Sequence, residues 1–207
     1  MIMDEDKNIQ LRYIADHLIV HSGGLSNLGL YHGKMGIVLF FVHYARYTNN
    51  PIYQECAENL LDEIFEDIHA GITLDFENGL SGIGWGLLYL LKNQYVEGDP
   101  DEVLSDLDQR MMEINLSRVA DKSVERGLGG YLYYLKERLS VASEHSLFDK
   151  DYKAELQRVM SLMQSSELFD LHSIIARNDS CSIMDITKDS LGICEGYAGL
   201  GFKWMQI

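Results

Sequence analysis

Four stretches of the chain place apolar residues at helical spacing on a polar background. Each is followed, after a loop, by a stretch that is apolar nearly throughout. The first amphipathic stretch runs from Asn8 to Val20, with Leu11, Ile14, Ala15 and Leu18 on one face. The second runs from Ile52 to Ile68 and places Cys56, Leu60, Ile64 and Ile68 four apart. The third, Glu102 to Leu116, aligns Val103, Leu107, Met111 and Ile114. The fourth, Tyr152 to Met163, aligns Leu156, Val159 and Met163. This spacing predicts outer helices with one wet face. The apolar stretches between them predict helices buried on all sides.

Every apolar stretch opens with a glycine cluster. The first cluster is Gly29-Leu30-Tyr31-His32-Gly33-Lys34-Met35-Gly36. The second is Gly79-Leu80-Ser81-Gly82-Ile83-Gly84-Trp85-Gly86, and the third, shorter, is Gly127-Leu128-Gly129-Gly130. The fourth is Gly192-Ile193-Cys194-Glu195-Gly196-Tyr197-Ala198-Gly199. The first and fourth align without a gap, which sets His32 opposite Glu195 and Tyr31 opposite Cys194. The second fits them with a shift of one residue. Glycine lowers helix propensity, so its repetition here points to close backbone approach where inner helices converge. The last interval is longer than the others, which predicts an insertion around Ile174 to Lys188.

Repeats at this period decide the fold class. The chain reads as all-α, a single domain over residues 1–207 of about four helix pairs. Its inner helices start near Gly33, Gly82, Gly130 and Gly196. The pairs form all or part of an α/α toroid; the rival arrangement is a helical-repeat solenoid.

Composition narrows the partners. The 207 residues carry 32 acidic and 17 basic side chains, a formal charge of −15. The basic residues are scattered singly, which argues against nucleic acid, whose phosphates demand clustered Lys and Arg. The two prolines, Pro51 and Pro100, fall between periodic segments and leave long helices unbroken. The acidic start of the chain lacks the features of a signal peptide, and the longest apolar run, Ile37 to Val42, is too short to span a bilayer. Three cysteines, Cys56, Cys181 and Cys194, form no disulfide framework and fit a reduced cytoplasm.

The glycine clusters resemble the repeat of the lanthionine synthetase C-like family, over roughly residues 10–207. The carriers of the resemblance are the octapeptides beginning at Gly29, Gly79 and Gly192, taken together at helix-pair spacing. The resemblance implies a toroid, a cytoplasmic role in maturing a ribosomal peptide, and a peptide or protein partner. The family's cyclases use about seven helix pairs and a zinc ion held by two cysteines and a histidine. They add a peptide cysteine thiolate to a dehydrated serine or threonine. If this chain is active, the resemblance implies that same zinc-dependent thiol addition, since zinc binds thiolate and lowers its pKa.

Two departures accompany the resemblance. The family's Cys-His-Gly motif reads Cys194-Glu195-Gly196 here, and Cys181 stands only 13 residues before Cys194. Four pairs also make about half of the family's ring, so the protein is a shortened relative, or two copies form a homodimer that completes the ring, or a partner supplies the rest. These features favour a degenerate relative that binds or presents a peptide over a competent cyclase.

Cys194 is the metal candidate. His32, in the corresponding place of the first cluster, is a candidate ligand or general base. Acids precede several inner helices: Asp75 and Glu77, Glu125, and Asp189 with Glu195. Near a helix N-terminus such acids also serve as caps. Glu77, Glu125 and Glu195 are the candidates for acid–base chemistry, which would suit a carbohydrate-active toroid enzyme if two of them faced each other. The third alternative is a non-catalytic protein-interaction module. The aromatic residues Trp85, Tyr131, Tyr133, Tyr134, Tyr197 and Trp204 lie on inner helices, mostly as core.

Overall fold

A computed structural model describes residues 2–143, 146–162, 171–176, 187 and 189–206. All regular secondary structure among them is helical. The elements are α1 (Ile2–Ser22), α2 (Lys34–Thr48), α3 (Pro51–Asp67), α4 (Leu80–Lys92), α5 (Pro100–Val103), α6 (Ser105–Met112), a 3-10 turn (Leu116–Arg118), α7 (Leu128–Val141), α8 (Lys150–Leu162), α9 (Leu171–Ile175) and α10 (Tyr197–Met205). No described helix is long and apolar enough to cross a membrane. The helices divide between two compact units, residues 1–70 with 169–207 and residues 71–168.

The outer and inner classes of helix hold. In α2, every residue from Lys34 to Val42 is buried, and α4 is buried from Leu80 to Leu88. By contrast α3 buries only Ala57, Leu60, Leu61 and Ile64, and α8 only Tyr152, Leu156 and Val159. Asn50 caps α3 by accepting from the Ile52 N–H, with Pro51 at the first helical position, a placement that wastes no donor. The third outer helix differs from its predicted span: it is broken at Leu104 into α5 and α6, and the last part of the span, Glu113 to Leu116, is not α-helical.

In the first unit, α2 lies against α3 and α10 lies against both α1 and α2. The first and last inner helices therefore pack directly on each other. Phe40 is the key contact: it meets Phe202 edge-on at 6.1 Å and lies over Gly201, where any Cβ would collide with its ring. Lys34, buried at the start of α2, reaches Glu63 at 2.7 Å and Asp67 at 3.5 Å on α3.

The second unit repeats this contact with different side chains. Here α4 packs on α7 and α6. Tyr134 lies over Gly84 as Phe40 lies over Gly201. Both glycines stand five residues after the glycine that opens their helix, and both rings stand seven after theirs. Tyr134 also donates to Asp108 at 2.5 Å. Arg138, fully buried, donates to Asp108 at 2.8 Å and to Asp101. Burial raises the pKa of Asp108, against the lowering pull of the Tyr134 hydroxyl and the Arg138 guanidinium.

Candidate functional site

The loops before the inner helices share one construction. The N-cap residue is Gly33 for α2, Gly79 for α4, Gly127 for α7 and Gly196 for α10. Six residues before each stands a short polar residue: Asn27, Thr73, Asp121 and Ser190. Its carbonyl accepts from the first helical N–H in every case. Lys34 donates to Asn27 at 2.9 Å, Leu80 to Thr73 at 2.9 Å, Leu128 to Asp121 at 2.9 Å and Tyr197 to Ser190 at 3.0 Å. One of the donors that a helix start leaves unpaired is thus satisfied by the loop itself. Local side-chain bonds set the turn: Asn27 accepts from the Gly29 N–H at 2.9 Å and Asp121 from the Ser123 N–H at 2.8 Å. This is the habit of Asn and Asp in turns.

The tight loop explains the N-cap glycines. At all four, an added Cβ would approach loop backbone atoms closer than 3.0 Å. Their φ angles, −118°, −109°, −123° and −138°, are open to any residue. Space, not backbone conformation, selects glycine. The register also differs from the sequence alignment: α4 and α7 are capped by Gly79 and Gly127, and Gly82 and Gly130 lie inside the helices.

In this register the five candidate residues fall on two positions of the repeated loop. Two residues before the N-cap stand Tyr31, Glu77, Glu125 and Cys194; one before it stand His32, Asn78, Arg126 and Glu195. In the first unit the loops of α2 and α10 touch. The Cys194 N–H donates to the Tyr31 carbonyl at 2.9 Å, and an added Cβ at Gly192 would collide with the backbone of Tyr31 and His32. His32 and Cys194 are thereby brought to adjoining loops. Cys194 is buried, His32 half-buried and Glu195 exposed. Glu195 has φ 54°, a left-handed conformation that is uncommon outside glycine and asparagine.

In the second unit the loops of α4 and α7 touch in the equivalent way. The N–H groups of Phe76 and Glu77 donate to the Glu125 carbonyl at 3.0 and 2.9 Å. The Glu77 carboxylate receives the Arg126 guanidinium at 2.9 Å. Asp75 accepts from the Asn78 N–H at 2.7 Å. Burial raises the pKa of Tyr131, with the Asp75 and Asp121 charges adding to it. Glu77 and Glu125 are joined through backbone, and the Glu77 charge is neutralised by a neighbour of Glu125. Trp85, Tyr134 and Tyr197 are core residues, whereas Tyr131, Tyr133 and Trp204 are half-buried.

Sequence reasoning missed two features of this region. One is the polar residue six before each N-cap, visible in the sequence once Gly79 and Gly127 are taken as the reference. The other is on α1, where the His17 ring meets Tyr197 at a tilt at 4.2 Å and stacks on His21 at 4.1 Å. This places the His17 imidazole against Tyr197, the first residue of α10. Zinc is a poor fit to the described residues, since no three His, Cys, Asp or Glu side chains among them form a set able to hold a metal ion. Cys181 lies outside the described residues.

A family profile described as "Lanthionine synthetase C-like protein" matches residues 24–199. The match spans all four glycine loops. No curated protein and no solved structure matches the chain significantly.

Proposed function

The chain belongs to the lanthionine synthetase C-like family, and from that premise we propose that it binds a peptide substrate or precursor without itself closing a thioether ring. The observation that carries this reading is the split between loop frame and loop chemistry. All four loops keep the same hydrogen-bonded frame. The positions that would carry chemistry hold Tyr31, Glu77, Glu125 and Cys194, with His32, Asn78, Arg126 and Glu195 beside them. Thiol addition needs a thiolate held and activated. Among the described residues, the adjoining loops of the first unit offer one thiol and one imidazole, short of the family's two cysteines and a histidine. The setting we infer is the cytoplasm, in keeping with the free thiols of Cys56 and Cys194.

The paired-carboxylate alternative draws less support, because Glu77 is held in an ion pair with Arg126. Binding is the direct test. A fluorescent peptide containing cysteine and dehydrated serine is titrated with the protein and followed by anisotropy. Saturable binding weakened by Gly196→Ala, which disturbs the loop carrying Cys194, is the expected result. Absence of saturable binding to this peptide and to its undehydrated precursor would overturn the reading.

A further inference from the structure

A groove in the second unit lies away from the glycine loops. It runs between α7 and α8, with a volume of about 410 Å³, inside the range of about 300–1,000 Å³ common to ligand pockets. Leu156 and Met160 of α8 and Leu139 of α7 make it apolar. Lys136 of α7 and Lys153 of α8 stand in its walls, and Gln157 is the neutral polar group. On α8 the positions Lys153, Leu156, Gln157 and Met160 follow a spacing of three and four, so one face of the helix lines the groove.

The charge is what singles out this groove. The chain carries 32 acidic and 17 basic residues, yet none of the described residues lining this groove carries a carboxylate. Three other cations of the unit are paired with carboxylates: Lys92 with Glu137, Arg126 with Glu77, and Arg138 with Asp101 and Asp108. Lys136 and Lys153 have no such partner among the described residues. Two lysines on facing helices, left without counter-charge in so acidic a protein, complement an acidic ligand. The apolar surface between them calls for an apolar body on that ligand. The carboxamide of Gln157 carries both a donor and an acceptor, the pair that a peptide main chain matches.

We propose that the α7–α8 groove binds an acidic, apolar peptide segment, with leucine-like side chains on Leu139, Leu156 and Met160 and carboxylates at Lys136 and Lys153. This rests on the peptide-handling reading and assigns it a docking surface separate from the loop of Cys194.

The test uses a fluorescein-labelled nonapeptide alternating leucine with glutamate, and a twin with lysine for each glutamate, titrated with the whole chain. The wild type is expected to prefer the acidic peptide. Lys136→Glu/Lys153→Glu should weaken its binding about tenfold and shift preference to the lysine twin. Leu139→Gln should weaken both peptides without changing the preference, and Arg12→Glu on α1 should change nothing. Equal binding of the acidic peptide by wild type and the double lysine variant would overturn the groove. If that binding nevertheless falls in Gly196→Ala, the peptide-handling reading survives the loss. No binding of the acidic peptide to the wild type also overturns the groove, and the cysteine-containing peptide then decides the broader reading on its own. Displacement of the acidic peptide by dodecanoate at equal concentration would assign the groove to a small amphipathic acid and overturn the peptide.

Discussion

Substituting Gly127 by alanine separates two reasons for glycine that usually act together. Its φ of −123° and ψ of −159° suit alanine as well as glycine. On backbone grounds alone the change should stabilise the protein by about 0.4–1 kcal/mol, because alanine restricts the unfolded chain. The loop forbids it. The new Cβ would lie closer than 3.0 Å to the carbonyl and the carboxyl carbon of Asp121. That carbonyl is the acceptor for the Leu128 N–H at 2.9 Å. Overpacking of this kind costs about 1–3 kcal/mol, and the lost hydrogen bond adds about 1 kcal/mol. The net expectation is destabilisation by about 2 kcal/mol, which lowers Tm by about 4–8 °C for a chain of this size. Gly23→Ala is the control, since nothing lies within 4 Å of its Cβ position. Thermal melts followed by circular dichroism read both. A Gly127→Ala melt equal to or above the wild type would refute the claim that loop space selects these glycines.

Other perturbations test the packing and the site. Arg138→Met should destabilise by about 3–5 kcal/mol in urea unfolding, because it strands the buried Asp108 carboxylate. Arg138→Met/Asp108→Leu should recover a large part of that loss, and equal losses would show the pair is not coupled. Burial, helped by the charge of Arg46, lowers the pKa of His43 from 6.5 to about 4. The native state thus keeps His43 neutral where the unfolded chain protonates it. Its contribution is fully present above pH 6.5 and is lost as pH falls toward 4, amounting to about 3 kcal/mol. The wild type should therefore lose more stability than His43→Phe across this window, and parallel pH profiles would contradict it. Glu195→Asn should raise Tm by a few degrees, because asparagine tolerates φ 54° at about 1 kcal/mol less cost. A lowered Tm would mean that the Glu195 side chain holds the loop.

The fold was largely legible because burial writes itself into periodicity. The apolar run from Ile37 to Val42 and the four-residue spacing of Leu60 and Ile64 are consequences of where those helices face, and α2 and α3 follow them closely. The loop register was not legible from glycine spacing alone. Gly79 and Gly82 look equivalent as letters; only the bond from Leu80 to Thr73 distinguishes cap from helix interior. Nothing local in the sequence marks Arg138 and Asp108 as a buried pair, since the residue that neutralises each stands 30 positions away. At the site, Cys194 and His32 were visible as motif positions. Their meeting depends on α10 packing against α2, a tertiary fact that no local pattern encodes. The α7–α8 groove was invisible for the same reason, as its two lysines come from helices joined by a loop.

We propose that the loops of this family member retain their frame and not the thiol-adding chemistry. The most direct measurement incubates the protein with the cysteine- and dehydroserine-containing peptide, with and without added zinc. Free peptide thiol is counted by alkylation and mass spectrometry over time. The thiol count should stay at the level of a protein-free control under both conditions. Multiple-turnover loss of thiol that disappears in Cys194→Ala would contradict the account and establish a competent cyclase.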